Sequence, residues 1–224
     1  MKKYILLGAL AVVVVLLALY GRTLLDLYRL NSFVAASAAA DEADGGAWPR
    51  RTDACTVCHG VKGNSQHQGY PKLAGQPAPY VANQLRRFAS GERANPNMSP
   101  LAMTMTDADI ERFSTYYAGQ PGEDNRFFEP DPALRDKGGQ LVARANCTAC
   151  HGEQLKGHDG FPRLAGQGYD YLVAQLDAFA ANARKDPSGA MNPLAAAASA
   201  DDRKAMAAYL ASFKSTTPSS PKGQ

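Results

Sequence analysis

The chain opens on an almost unbroken apolar run from Tyr4 to Tyr20, led by Lys2 and Lys3 and followed by a stretch in which Arg22, Asp26 and Arg29 interrupt further leucines. At the helical rise such a run reaches roughly 25 Å, and Leu24, Leu25 and Leu27 can carry it onward. The pattern predicts one transmembrane helix. The lysines ahead of it orient the N-terminus to the cytoplasm. The small-residue cleavage sites, Ala36-Ser37-Ala38 and Ala38-Ala39-Ala40, lie far beyond the run, which favours an uncleaved anchor over a removed signal peptide. Residues 1–45 are therefore expected to be a membrane anchor with its linker, single-pass in a bacterial inner membrane, with the rest of the chain in the periplasm.

Beyond residue 45 the pattern becomes one-sided and helical. Tyr80, Val81, Gln84, Leu85 and Phe88 form a stripe that Gly91 ends, and Tyr171, Leu172, Leu176 and Phe179 repeat it. These aromatics are expected in the core. Further helices start at Thr106 and Ser199, each with an aspartate three residues on (Asp109, Asp202), and run to about Ala118 and Phe213. No segment alternates with period two, so the fold class is all-α. The turn-forming stretch from Gln120 to Asn125, followed by Pro130 and Pro132, divides the remainder. The expected organisation is a domain at 46–120, a linker at 121–130, a second domain at 131–214 and a flexible tail at 215–224.

The 224 residues carry a formal charge of only +3, too little for a nucleic-acid footprint. Domains this small, in a chain with 8% aromatic residues, have marginal cores, so something beyond side-chain burial must stabilise them. The four cysteines indicate what it is. Cys55-Thr56-Val57-Cys58-His59-Gly60 returns as Cys147-Thr148-Ala149-Cys150-His151-Gly152. The segment from His67 to Gln76 returns as His158 to Gln167, and Met98-Ser99-Pro100-Leu101-Ala102 as Met191-Asn192-Pro193-Leu194-Ala195. The chain is a tandem duplication.

Two cysteines separated by two residues, with histidine directly after, form the attachment signature of c-type haem. One helical turn brings both thiols to the same side, where they bond the vinyl groups of one porphyrin, and the histidine faces the iron. Two covalently bound haem c groups are expected. A thioredoxin-like dithiol, a zinc site shared between the pairs and simple disulfides are the competing readings, and none explains a histidine after both pairs.

The sixth ligand follows by elimination. Met206 falls inside a capped helix, whereas Met191 lies among Pro187, Gly189 and Pro193, and Met98 has the same setting between Pro96 and Pro100. Both are expected on extended loops, with Pro193 keeping Asn192 out of helical geometry. Met103 and Met105 have no repeat partners and read as packing residues. His67 and His158 are repeat-related, so bis-histidine ligation remains open.

These residues resemble the tandem dihaem cytochromes c of the cytochrome c4 family, with Cys-x-x-Cys-His-Gly, Tyr/Phe-Pro-x-Leu-Ala-Gly-Gln and a later methionine in each half. The resemblance covers about residues 46–214 and implies two class I cytochrome c domains packed about a pseudo-twofold axis. It also implies that the carbonyls of Pro71 and Pro162 hold the imidazoles of His59 and His151. With iron ligands His59 and Met98 in one half and His151 and Met191 in the other, neither iron has a position for substrate, and the chemistry is one-electron transfer rather than enzymatic turnover. The expected function is a membrane-anchored carrier between a quinol–cytochrome c oxidoreductase and a terminal oxidase. The alternative is a dihaem enzyme, a thiosulfate dehydrogenase or a peroxidase-like oxidoreductase. It would need an unusual ligand, for which no fifth cysteine exists.

Overall fold

A computed structural model describes residues 2–44, 46 and 50–214. The expected tail at 215–224 lies outside the described residues. The chain divides between Arg51 and Thr52 into two units, each described by itself.

The first unit holds one continuous helix, α1 (Lys2–Ala43). It does not stop where the apolar run stops. It continues through Arg22, Asp26 and Arg29, the last two paired at 3.8 Å, to Asp41 and Glu42. Among the described residues no helix is long and apolar enough to cross a membrane. The single-pass anchor, the membrane as a partner and the inner-membrane location expected from the sequence are corrected accordingly. The apolar run is one end of a longer helix whose other end is charged, not an element bounded at two membrane surfaces.

The second unit contains both repeats and is helical. The first repeat supplies α2 (Asp53–His59), a single 3-10 turn (Val61–Gly63), α3 (Ala78–Ala89), α4 (Met98–Met103) and α5 (Asp107–Ala118). The second supplies α6 (Pro132–Arg144), α7 (Thr148–His151), α8 (Tyr169–Ala180), α9 (Met191–Ala197) and α10 (Ala200–Ser212). The only pairing of extended backbone among the described residues is an isolated bridge between His158 and Phe161.

Local chemistry sets these boundaries. Thr106 and Asp109 form a reciprocal capping box at the start of α5, and Ser199 accepts from Asp202 N at the start of α10. Asp131 caps α6, with Pro132 in the first turn, where a missing N–H costs nothing. Two hydrophobic clusters result, one per repeat. Val81, Ala82, Leu85, Ile110 and Phe113 form the first, between α3 and α5. Val142, Leu155, Leu172, Leu176, Met206 and Leu210 lead the second, among α6, α8 and α10.

The halves differ in one layer. α10 packs on α6 so closely that a Cβ at Gly138 would lie 2.0 Å from Ala205 O. No helix of this unit precedes α2 to play that part for α5. Where α10 presents Ala205 and Ala208, both fully buried, the corresponding positions of α5 are Arg112 and Thr115, both exposed.

One expectation about the distal segments is also corrected. Met98 and Met191 do not lie on extended loops; each is the first residue of a short helix. Pro100 and Pro193 occupy the third helical position, still within the first turn, whose N–H groups have no acceptor in the helix. The leading amides are held from upstream instead: Asn95 Oδ1 accepts from Met98 N at 2.8 Å, and Asp186 Oδ2 accepts from Met191 N at 3.1 Å.

Candidate functional site

In each repeat the short helix at the Cys-x-x-Cys-His motif brings its two thiols and imidazole onto a single turn: Cys55, Cys58 and His59 on α2, and Cys147, Cys150 and His151 at α7. Gly60 and Gly152 follow with φ of +76° and +79°. A Cβ at Gly60 would sit 2.4 Å from Asn64 O, so only glycine allows the chain to fold back beneath the imidazole. His59 and His151 are both buried. His59 Nδ1 donates to Pro71 O at 2.8 Å and His151 Nδ1 to Pro162 O at 2.8 Å. This bond assigns the proton to Nδ1 and leaves Nε2 with a free lone pair. Burial holds both imidazoles below the ordinary histidine range, against a smaller opposing pull from the proline carbonyls, so they stay neutral at pH 7.

The first thiol of each pair behaves in the opposite way to the reactive thiol of a redox dithiol. Burial pushes Cys55 and Cys147 up, whereas a thioredoxin-like pair needs a depressed thiol. The two cysteine pairs are not combined into a zinc cage: among the described residues no group of three or more His, Cys, Asp or Glu side chains is placed to hold a bare ion. His67 and His158 both lie in the loop between the buried histidine and its proline. His67 Nδ1 accepts from Gly69 N at 3.0 Å, and its ring lies 5.2 Å from that of Tyr70. His158 contacts Asp159 and the ring of Phe161.

Met98 and Met105 border the first core cluster, and Met191 borders the second. Met103 is 70% exposed, and Met206 is buried within the second core.

The residues that join the two repeats were not foreseen from the sequence. Gln76 Nε2 donates to Arg163 O while Arg163 N donates to Gln76 Oε1; in the same manner Gln167 Nε2 donates to Lys72 O and Lys72 N to Gln167 Oε1. The buried side chains of Lys72 and Arg163 grip the linker, Lys72 Nζ donating to Glu123 O and Asp124 O, and Arg163 Nη2 to Gly122 O. A second reciprocal set involves Tyr80 and Tyr171, which are not simple core residues. Arg93 Nη2 donates to Tyr171 Oη and Gln175 Oε1, and Arg184 Nη2 donates to Tyr80 Oη and Gln84 Oε1. In both sets each contact made by a residue in one repeat is returned by its counterpart, as in an isologous interface, whereas the bonds from Tyr169 N and Tyr171 N to Gln68 have no mirrored pair. The signal available in the sequence was the presence of Gln76, Gln84 and Arg93 in one half and Gln167, Gln175 and Arg184 in the other, polar residues kept at matching places, with Gln84 and Gln175 inside the apolar stripes.

This cluster is rich in positive charge. No carboxylate pairs with Arg93 or Arg184 among the described residues. Arg184 Nε is buried without a partner. Burial pushes the Tyr80 and Tyr171 phenols up, and the guanidinium groups of Arg93 and Arg184 pull both back down. A buried guanidinium and a half-buried one beside it, both bonded only to neutral oxygens, lack an anion. The propionate carboxylates of haem would supply it, and together with the paired thiols and the neutral imidazoles they make the residues present a fit for haem c.

Fold and site together define a c-type cytochrome of two domains. The cytochrome c family model matches residues 50–118 and again 136–214. A thiosulfate dehydrogenase electron acceptor from Stutzerimonas stutzeri (strain A1501) is 37% identical over 75% of this chain and 82% of its own length. The crystal structure of reduced recombinant cytochrome c4 from Pseudomonas stutzeri superposes with a TM-score of 0.69 at 30% identity, covering 78% of this chain and 98% of that one. A thiosulfate dehydrogenase (TsdBA) structure from Marichromatium purpuratum has a TM-score of 0.65 at 34% identity, covering 74% of this chain but 37% of that one. The chain belongs to the dihaem cytochrome c4 family, and its Cys55/Cys58 and Cys147/Cys150 pairs carry two covalently attached haem c groups. It is an electron carrier.

Proposed function

We propose that the chain accepts electrons from a thiosulfate-oxidising dehydrogenase and passes them singly to a terminal oxidase or an equivalent acceptor. In this reading His59 with Met98 and His151 with Met191 would ligate the two irons, and Pro71 and Pro162 would hold the two imidazoles. Bound haem c supplies a one-electron couple, and a neutral thioether ligand favours its reduced form. The protein's own residues do the rest. The Nδ1–H bonds to Pro71 and Pro162 fix each imidazole plane. Short amide bonds through Gln76 and Gln167 keep the two sites at a fixed separation. Arg93 and Arg184 would neutralise the propionate carboxylates of bound haem. The reciprocity of these contacts supports a pseudo-twofold relation between the halves. The end of α5 at Ala118 and the start of α6 at Pro132 support domains at 46–120 and 131–214 joined by 121–130.

The observation that carries this reading is the duplicated arrangement of buried imidazole, proline carbonyl and core-bordering methionine on both sides of one polar interface. The donor is assigned from the relatives that bear the name of thiosulfate dehydrogenase electron acceptor, in preference to the quinol-oxidising complex. The alternative in which this chain is itself the dehydrogenase is weaker, because the match spans only 37% of the TsdBA chain. The test is reduction of the oxidised holoprotein by thiosulfate with a catalytic amount of thiosulfate dehydrogenase. Two electrons taken up per chain are expected. Reduction by thiosulfate with no enzyme added would instead make the chain the enzyme.

A further inference from the structure

The loops that lead into Met98 and Met191 share one plan and differ in one charge. Each begins two residues after its interface arginine, at Asn95 in the first repeat and Asp186 in the second. Asn95 Oδ1 accepts from Asn97 N at 3.0 Å and Met98 N at 2.8 Å, while Asn95 N donates to Ser99 Oγ at 3.1 Å. Asp186 Oδ2 accepts from Ala190 N at 3.0 Å, from Met191 N at 3.1 Å and from Ser188 Oγ, while Asp186 N donates to Asn192 Oδ1 at 3.0 Å. Ser99 and Asn192 both directly follow the methionine, so a neutral amide oxygen does in one loop what a carboxylate does in the other. Three donors on one oxygen favour the charged form of Asp186. No cation pairs with it among the described residues. Asp186 is half-buried, whereas Asn95 is exposed. Its charge also reaches the buried imidazole of the same site: burial and His158 hold His151 down while Pro162 and Asp186 pull it up, whereas at His59 the upward pull comes from Pro71 alone.

We propose that Asp186 sets the second site below the first in potential, so that an electron delivered to either repeat comes to rest on the first. The inference rests on the reading that His151 with Met191 and His59 with Met98 are the axial pairs. It adds which of two sites with the same ligand set is the stronger acceptor, and names the residue responsible. An oxidised site carries one more positive charge than a reduced one, so an unpaired anion bonded to the backbone of one ligand and felt at the other favours the oxidised form. The first site has an amide in that place and meets no such opposition. Transfer between the repeats then runs downhill from second to first: one electron leaves the second site and is taken up at the first, one is oxidised and the other reduced by one, and no bond or proton is exchanged. The carboxylate keeps its positioning role throughout, since the bonds to Met191 N and Ala190 N need an oxygen and not a charge.

The experiment is spectroelectrochemical titration of the full-length holoprotein at pH 7, with the methionine-to-ferric-iron band recorded alongside. The wild type should show two potentials. Asp186→Asn keeps the acceptor oxygen and removes the charge, so it should raise the lower potential alone and shift the ratio of the two singly reduced forms by about fivefold, or roughly 40 mV, with both bands retained. Asn95→Asp should close the gap from the other end by lowering the upper potential, and by less, because position 95 is exposed. Asp201→Asn removes an exposed carboxylate of the same repeat and should leave both potentials as they are. A gap that widens or stays unchanged in Asp186→Asn, an equal shift in Asp201→Asn, or loss of a band in Asp186→Asn would overturn the assignment. A wild type lacking the methionine band would instead refute the axial pairing on which it rests.

Discussion

Replacing Arg184 with methionine tests the reciprocal interface where its energy is concentrated. The side chain is buried, donates to Tyr80 Oη at 3.1 Å, Gln84 Oε1 at 3.1 Å and Gln175 Oε1 at 2.7 Å, and its guanidinium lies 4.6 Å from the centre of the Phe179 ring. Two of the three acceptors stay served after the change, because Arg93 also donates to Gln84 Oε1 at 2.7 Å and to Gln175 Oε1 at 2.9 Å. Only Tyr80 Oη loses its charged donor. One charged hydrogen bond is worth about 1.5–3 kcal/mol and the stacking about 1–2 kcal/mol. Relief of the guanidinium's desolvation opposes both, and the methionine stem keeps most of the packing. The expected net loss is about 2 kcal/mol for Arg184→Met and a similar amount for Arg93→Met. The double variant leaves both glutamines and both tyrosines without a cationic donor, so its cost should exceed the sum of the singles by about 2 kcal/mol. Loss of a buried cation also favours the oxidised, more positive state, so both midpoint potentials should fall, by an amount on the order of 1 kcal/mol, or roughly 40 mV, in each single variant. Urea unfolding of the holoprotein and spectroelectrochemical titration measure the two effects. Costs that merely add, together with unchanged potentials, would show that the cluster is not the coupled, charge-bearing unit described.

Two further outcomes separate the roles of individual side chains. Met191→Ala should make the second haem high-spin with a large fall in its potential, since Met206 is locked in the core of α10, whereas Met98→Ala should be milder because Met105 borders the same cluster as Met98; equal spectra and potentials in the two variants would contradict the ligand assignment. Burial, with Arg163 alongside, pulls Lys72 down to about 8 from 10.5, so between those values the folded chain binds fewer protons than the unfolded one. The penalty of burying the ammonium is thus present in full below pH 8 and is relieved as pH rises toward 10.5. Wild type should gain stability relative to Lys72→Met between pH 7 and pH 10 in urea unfolding, and parallel pH profiles would remove Lys72 from the interface energetics.

The duplicated attachment motif and the capped helices α5 and α10 were legible in the sequence because both rest on local chemistry: a fixed spacing of thiols and imidazole, and a hydroxyl or carboxylate that satisfies the first amides of a helix. The helices at Met98 and Met191 were not, because a proline at the third position reads as a helix breaker when the first turn's freedom from N–H bonding is overlooked. The interface escaped for a different reason. Tyr80, Tyr171, Gln84 and Gln175 sit in apolar stripes that a single repeat would use as core, and their polar atoms acquire partners only when the second repeat is present. The apolar run of α1 misled in the opposite direction, since hydropathy over a short window does not report how far the helix continues into charged sequence.

The central claim is that the chain holds two equivalent haem sites, each ligated by histidine and methionine, and moves electrons without binding substrate. It is tested most directly by the weak methionine-to-ferric-iron charge-transfer band at the red end of the visible spectrum, quantified per chain against covalently bound haem in the oxidised holoprotein. The account predicts two covalent haems, two such bands and loss of both on stepwise one-electron reduction. A single band beside two haems, or a high-spin signal in the resting protein, would mean that one iron has an open or different ligand and would contradict the carrier mechanism.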